Sequence, residues 1–169
     1  LYPEGNPLTD LFIHPVDLVL YLFGNAELKS VQQIDRNGTM TIQGLLSHGT
    51  AKGYIELSTA YSWTNPKETL YVNTQAGEYR LEQMERLCYH PHPKRIAGIP
   101  LEKLGLFTNA EQTLIERNNF NPLAANNQLY TQGFLSEIRA FADMVELSGE
   151  NRSPLSSMDA TYKLLLSLK

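Results

Sequence analysis

The sequence has only one cysteine, Cys88, so it cannot form an internal disulfide. A free thiol fits a reducing compartment, and we expect a cytoplasmic protein. Long apolar runs are also absent. A membrane-spanning helix needs roughly 18 apolar residues, and the stretch 18–23 falls far short of that. The sequence therefore predicts a protein that does not cross a membrane.

Positive charge is scarce and scattered. The 14 Lys and Arg residues are outnumbered by 18 Asp and Glu, the net charge is −4, and only Lys94 and Arg95 are adjacent. Phosphate binding needs clustered Lys and Arg side chains, so we expect no nucleic-acid partner. The sequence also lacks a Gly-x-Gly-x-x-Gly segment, which is the fingerprint of a dinucleotide-binding fold.

The N-terminus has no initiator methionine, no basic region and no signal-cleavage pattern. We therefore expect these 169 residues to be a piece of a longer chain. Their number is sufficient for one hydrophobic core, and a hydrophobic content of 42% is ordinary for a globular protein. The sequence predicts a single domain over 1–169.

Hydrophobic residues alternate over the region 27–84, which predicts antiparallel strands. Asn37-Gly38 is the strongest short hairpin signal, between strands over 28–36 and 39–48. Further strands are expected over 51–63, 68–75 and 78–84, the last two joined around Ala76-Gly77. The fold class that follows is α+β: an open, mainly antiparallel sheet of about five strands or more, packed on helices.

The second half of the chain mixes irregular and helical patterns. Prolines and asparagines break up the region 88–127, where we expect loops and a short helix over 109–116. Apolar residues at three- and four-residue steps predict a helix over 128–147. A serine at 156 or 157 would cap a last helix that ends at Lys169.

The stretch 6–24 combines strongly apolar sequence with three ionisable side chains: Asp10, His14 and Asp17. An apolar helix normally excludes such groups unless they are paired or needed for chemistry. Pro15 either kinks this helix or is the first residue of a helix that starts near His14. Thr9 or Asp10 could cap the helix, and Gly24 would end it.

Asp10 and His14 would share one face of a helix, because residues four apart are neighbours there. An imidazole beside a carboxylate gains basicity and a fixed orientation, as a general acid or base requires. The alternative is structural: Asp10 caps the helix and His14 is a hydrogen-bonded core residue. Spacing alone favours the structural interpretation.

The wider sequence resembles the C-terminal domain of Gfo/Idh/MocA oxidoreductases. That domain commonly begins Gly-Gly-x-Leu-x-Asp-x-Gly-x-His-x-x-Asp, and this chain has Leu8-x-Asp10-x-x-x-His14-x-x-Asp17 before an apolar run and Gly24. The resemblance extends to two later motifs, Gly133-Phe134-x-x-Glu137-Ile138-x-x-Phe141 and Ser156/Ser157-x-Asp159-Ala160. It therefore covers most of the chain in order.

The resemblance implies two domains with different functions. A missing N-terminal domain would bind NAD or NADP, while this domain would contact a sugar- or polyol-like small molecule and form a homo-oligomer through its sheet. Asp10 then corresponds to the substrate-orienting carboxylate and His14 to the acid/base histidine, with Asn6 as a further substrate contact and Asp17 in a structural role. We expect no cofactor on this chain alone and no activity from it.

The chain also departs from the family pattern. Asn6-Pro7 replaces the glycine pair, and Phe12 replaces the glycine two positions after the aspartate. The family's Glu-Lys-Pro segment, whose lysine joins catalysis, is absent, and Glu102-Lys103-Leu104 does not replace it. Phe12 in particular supports an alternative function: a non-catalytic scaffold or sensor that binds a partner through its sheet.

Two other groups of residues suggest ligands. His90 and His92 alternate in an extended segment and so point the same way, as metal ligands can. With no third ligand evident, we expect a solvated loop; a metal-dependent hydrolase using these histidines with Asp10 and His14 is the third alternative. Aromatic residues in the predicted strands could stack on a sugar or simply fill the core: Tyr54, Tyr61, Trp63, Tyr71 and Tyr79.

Overall fold

A computed structural model describes residues 6–60, 67–105, 110–116, 133–147, 151 and 154–169. The α-helices in these ranges are α1 (Pro7–Asp10), α2 (Ile13–Phe23), α3 (Phe134–Leu147) and α4 (Asp159–Ser167). All strand pairs in these ranges are antiparallel and the sheets are open, which confirms the predicted α+β class. The chain divides into two compact units, 1–62 with 150–169, and 63–149.

The first unit opens with α1 and α2, separated by Leu11 and Phe12. A helix that starts near His14 is confirmed, but Pro15 is its third residue rather than its first. Proline is tolerated there because the first backbone N–H groups of a helix have no intrahelical partner. Gly24, with φ 76°, ends α2 as predicted, and its N–H donates to the Leu20 carbonyl at 2.8 Å.

A three-stranded sheet follows, in the order β1 (Glu27–Arg36), β2 (Thr39–His48), β3 (Ala51–Ser58). Asn37 and Gly38 have φ values of 51° and 76°, the conformation that a two-residue hairpin turn requires. The predicted hairpin is therefore confirmed. The end of the predicted third strand, 61–63, lies outside the described residues.

The core of the first unit lies between this sheet and the helices. Its buried apolar side chains are Leu8, Phe12, Val16, Ile42, Leu46, Ile55, Leu57, Leu164, Leu165 and Leu168. Gly44 allows the close approach of Leu168, because a Cβ at Gly44 would lie 3.1 Å from Leu168 Cδ2. The predicted serine cap of the last helix is wrong. A 3₁₀ turn (Leu155–Met158) precedes α4, and the Ser157 hydroxyl donates to the Pro154 carbonyl instead.

The second unit contains a four-stranded sheet, and a two-stranded hairpin precedes its last strand. The order of the sheet is β4 (Thr69–Asn73), β5 (Gly77–Glu82), β6 (Arg86–Pro91), β9 (Gln112–Glu116). The hairpin pairs β7 (Arg95–Ile96) with β8 (Ile99–Pro100), and a 3₁₀ turn (Leu101–Leu104) follows. The predicted helix over 128–147 is confirmed from Phe134 onward as α3; residues 128–132 lie outside the described ranges.

Two predictions for this unit are wrong. We expect loops over 88–127, yet the described residues 88–105 and 110–116 contain β7, β8, β9 and most of β6, and residues 112–116 form a strand rather than a helix. Residues 106–109 and 117–127 lie outside the described ranges. Pro91 is compatible with β6 because it is the last residue of that strand. β9 exists because it pairs with β6, and such a pairing between distant segments leaves no local pattern.

One face of the four-stranded sheet carries apolar side chains that are half-buried or exposed. The strand register places Leu70, Leu81, Leu87 and Ile115 in one row and Val72, Tyr79 and Tyr89 in the next. None of these seven side chains is buried, and among the described residues of this unit only Gly77 and Cys88 are. No helix in the described ranges has the length and apolar content needed to cross a bilayer.

Candidate functional site

The start of the chain is anchored by three apolar side chains spaced four residues apart. Leu8, Phe12 and Val16 are 8%, 3% and 0% exposed, and all belong to the core of the first unit. Residues two positions away from such a series point to the opposite side of a helical segment. Asp10 and His14 have that offset, and both are exposed. Phe12 therefore directs its bulk into the core and away from the side where His14 lies.

Asn6 is the capping residue of α1. Its side-chain Oδ1 accepts the Leu8 N–H at 3.1 Å, and its carbonyl oxygen accepts the N–H groups of Thr9 and Asp10 at 3.0 Å each. Neither Thr9 nor Asp10 is a cap, which corrects that expectation: Asp10 is the last residue of α1. Because Asp10 is no cap and His14 is no core residue, the structural interpretation of this pair fails on both points.

Asp10 and His14 do not share one helix, since α1 ends at Asp10 and α2 begins at Ile13. Across the described ranges, no hydrogen bond or ion pair joins their side chains; the Asp10 carboxylate accepts a long 3.4 Å bond from the Thr9 hydroxyl. Catalytic hydrogen bonds are often long or absent until substrate binds. The two exposed groups lie four residues apart, at the end of α1 and the start of α2, and each can meet a ligand from solvent.

Asp17 has a different environment from the other two ionisable groups. It is half-buried, and its Oδ1 accepts a 2.7 Å hydrogen bond from the hydroxyl of Thr161, which is 1% exposed. The partner is therefore a side chain on α4, 144 residues further along the chain. The contact joins α2 to α4 and gives Asp17 a positioning role for the helix that carries His14.

A shallow cavity of about 280 Å³ lies beside Asn6 in the first unit. Pro7, Met40, Thr59 and Lys169 are among the residues that line it, but Asp10 and His14 are not. A second, more polar cavity of about 400 Å³ in the second unit includes Glu82 and Arg86 and none of the predicted site residues. Asn6 therefore borders a cavity that Asp10 and His14 do not line.

His48 was not singled out from the sequence, yet it is nearly buried at 9% exposure. Its Nδ1 lies 2.9 Å from the Gly24 carbonyl oxygen, and its ring packs on Phe23 with centroids 5.8 Å apart. A carbonyl only accepts, so Nδ1 carries the proton. His48 thus secures the C-terminal end of α2 to the end of β2, a contact that the polar pattern of β2 did not reveal.

The two histidines of the second unit have different surroundings. His90 is an exposed residue of β6, so the predicted solvated loop is wrong at this position. The His92 Nε2 lies 2.9 Å from the Thr74 carbonyl oxygen and so donates its proton there. Within the described part of the chain, no three His, Cys, Asp or Glu side chains are grouped to hold a metal ion.

The described aromatic residues of the predicted strands have different surroundings. Tyr54 is 60% exposed on β3 and donates to Glu56 at 3.2 Å. Desolvation, then the hydrogen bond and negative charge of Glu56, raise the pKa of Tyr54. Tyr71 is exposed on β4, while Tyr79 stacks on Tyr89 with centroids 4.7 Å apart. Tyr61 and Trp63 lie outside the described residues.

Comparisons with known proteins identify the fold. No family model matches the sequence, and no curated protein matches it. The dehydrogenase MviM from Clostridium difficile matches 96% of this chain at a TM-score of 0.70 and 13% identity. A dehydrogenase from Chromobacterium violaceum matches 99% at 0.69 and 15%.

The match covers only 46% and 47% of those two dehydrogenases, so this chain spans less than half of their length. At such identities the likeness shows the fold alone. The resemblance proposed from the motifs is confirmed at that level: the chain has a fold that occurs as one part of larger dehydrogenases.

Proposed function

We propose that this chain is the C-terminal half of an NAD(P)-dependent oxidoreductase of the Gfo/Idh/MocA type, acting on a sugar, polyol or related hydroxyl compound. Under this proposal residues 1–169 form one substrate-binding and oligomerisation domain that is inactive alone. The observation that carries the proposal is the exposed Asp10 and His14 pair, held by buried Phe12 and Val16. The fold match to part of two dehydrogenases supports it.

His14 is the proposed acid/base residue. It is the second residue of α2, whose position is fixed by the core contacts of Val16 and by the Asp17–Thr161 hydrogen bond. Its exposed imidazole can take the proton of a substrate hydroxyl and return it to solvent, and histidine does this well near neutral pH. The Asp10 carboxylate would accept a hydrogen bond from a second substrate hydroxyl and so orient the ring or chain of the substrate.

The described residues do not fit a dinucleotide. Such cofactors bind at the carboxyl ends of parallel strands, beside a glycine-rich turn. The sequence has no such turn, and every strand pair in the described ranges is antiparallel. NAD or NADP, which would supply the redox chemistry, therefore has to be held by another part of a longer polypeptide, in a reducing compartment such as the cytoplasm.

The proposed homo-oligomer would form through the sheet of the second unit. Its apolar face carries seven side chains that are half-buried or exposed, among them Leu81, Leu87 and Ile115. An exposed apolar surface of this kind is typical of protein interfaces. A second copy would bury it.

The test uses the polypeptide encoded by the complete gene. We expect it to bind NAD(P)H, measured by cofactor fluorescence, and to turn over at least one member of a sugar and polyol panel. His14→Ala should lower turnover by about 10²–10⁴-fold while cofactor binding stays near normal. The matched control is His90→Ala, which removes an exposed histidine far along the sequence and should leave turnover unchanged.

Two results would contradict the proposal. Unchanged turnover in His14→Ala would remove His14 from catalysis. Inactivity of the complete protein across the whole panel would favour the alternative, a non-catalytic scaffold or sensor with the same fold. That alternative has lost its main support, because Phe12 is buried and does not obstruct the exposed side of the helix.

A further inference from the structure

The turn between β1 and β2 contains the only Asn-Gly pair in the sequence. Asn37 and Gly38 are both exposed, and a Cβ added at Gly38 would meet nothing within 4 Å. In such a pair the backbone nitrogen of the glycine can attack the side-chain amide carbon of the asparagine, because no side chain on the glycine blocks the approach. Asparagine is one of the thermolabile residues of proteins. The turn therefore combines a reactive pair with access to water.

The two groups that would react are not used to hold the turn. Within the described part of the chain, no hydrogen bond involves the Asn37 side chain or the Gly38 N–H. The contacts that close the turn lie on either side of the pair. Arg36 pairs with Thr39, and the Thr39 hydroxyl donates to the Arg36 carbonyl at 2.6 Å. The reaction can therefore begin without breaking a hydrogen bond of the hairpin.

Every other asparagine in the sequence is followed by a residue that carries a side chain. Asn6, for example, precedes a proline, which has no N–H, and its side chain already accepts the Leu8 N–H. Asn73 is exposed like Asn37, but the next residue is the β-branched Thr74, whose N–H donates to the Gly77 carbonyl at 2.9 Å. Asn73 is thus an exposed asparagine whose neighbouring N–H is already hydrogen-bonded.

We propose that Asn37 is a self-modification site, at which the folded protein converts this asparagine to aspartate and isoaspartate. The Gly38 nitrogen forms a bond to Asn37 Cγ, and the bond from Cγ to Nδ2 breaks. The proton of the Gly38 N–H passes through solvent to Nδ2, which leaves as ammonia. Water then opens the cyclic imide at either of its carbonyl carbons. Overall a water is consumed and an ammonia is released, with no oxidation or reduction.

The two products have different effects on the hairpin. Aspartate keeps the backbone unchanged, and Asp-Gly suits the same turn as Asn-Gly, so this product only adds a negative charge. Isoaspartate carries the main chain through the former side chain of Asn37, which lengthens the connection between β1 and β2. Because a two-residue turn sets the register of its strands, this product should weaken their pairing. Gly38 also lines the cavity beside Asn6, so both products introduce a carboxylate one residue from that cavity.

The experiment incubates the 169-residue chain in mildly alkaline buffer, folded and in urea, and follows its peptides over time by mass spectrometry. Asn73 is the internal control in the same molecules. In the folded chain we expect Asn37 to convert at least about tenfold faster than Asn73, and within about tenfold of its own rate in urea, because an exposed turn opens at little cost in free energy. Peptide fragmentation distinguishes isoaspartate from aspartate.

Three results would overturn the proposal. A folded-chain rate at Asn37 that falls further below the rate in urea would show that the turn protects the pair. A smaller ratio between Asn37 and Asn73 would show that the turn confers no selectivity. The purified isoaspartate form should unfold at a lower urea concentration than Asn37→Asp, and equal midpoints would refute the weakened strand pairing. The reaction needs only the turn and water, so none of these results bears on the proposed function.

Discussion

The hydroxyl of Thr161 donates a 2.7 Å hydrogen bond to the carboxylate of Asp17, 144 residues earlier in the chain. Asp17 is half-buried and Thr161 is 1% exposed. Water therefore cannot fully replace this hydrogen bond, and losing the bond should lower the free energy of unfolding. The bond ties α4 to α2, and α2 carries His14. It is a polar contact that connects the last described helix with the candidate site.

Thr161→Val should destabilise the first unit by about 1–3 kcal/mol, because the methyl group leaves a partly buried carboxylate without its donor. Thr161→Ser keeps a hydroxyl and should retain most of the stability. The measurement is urea unfolding of the 169-residue chain followed by circular dichroism. A valine variant as stable as the parent would show that the hydrogen bond contributes nothing.

A double-mutant cycle separates this contact from other effects of the substitutions. Asp17→Asn combined with Thr161→Val should cost less than the sum of the single changes, because both remove the same bond. Strict additivity would mean that the two side chains do not interact in solution.

The contrast between this contact and the first hairpin shows what could be predicted from the sequence. Asn37-Gly38 determines a turn by local backbone preference alone, so β1 and β2 could be predicted almost to the residue. The partner of Asp17 is distant in sequence, as is the β6 partner of β9, and no local pattern encodes either contact. The exposed positions of Asp10 and His14 depend on which neighbours are buried, and that too is decided by tertiary packing.

Phe12 is the clearest test of how the candidate site is supported. It is 3% exposed and lies in the core of the first unit. Phe12→Ala should destabilise the fold by about 3–5 kcal/mol, whereas Phe12→Leu should cost considerably less because most of the volume is kept. Denaturant midpoints of the three proteins provide the comparison. If the alanine variant were nearly as stable as the parent, Phe12 would not be a core residue, and its side chain could again obstruct the site.

Gly77 is the strand glycine that should be least tolerant of a side chain. It has φ 155°, and an added Cβ would overlap the His90 carbonyl oxygen, a backbone atom that cannot rotate away. Gly77→Ala should therefore cost about 2 kcal/mol or more. Gly53 is the matched control, since a Cβ there meets nothing within 4 Å. Thermal unfolding of both variants is the measurement, and equal melting temperatures would contradict the close approach of β5 and β6.

The apolar face of the second unit's sheet gives the last prediction. Ile115 belongs to that face, opposite Leu87, and is 47% exposed, whereas Thr113 pairs with Cys88 on the other side of the sheet. If two copies join through the apolar face, Ile115→Lys buries a charge in the interface and should shift the protein toward the monomer. Thr113→Lys adds the same charge to the same strand and should leave the assembly unchanged.

Light scattering coupled to size exclusion measures the masses of both variants. An oligomer that survives Ile115→Lys but dissociates with Thr113→Lys would place the interface on the opposite face, because only the side of the strand differs between the two variants.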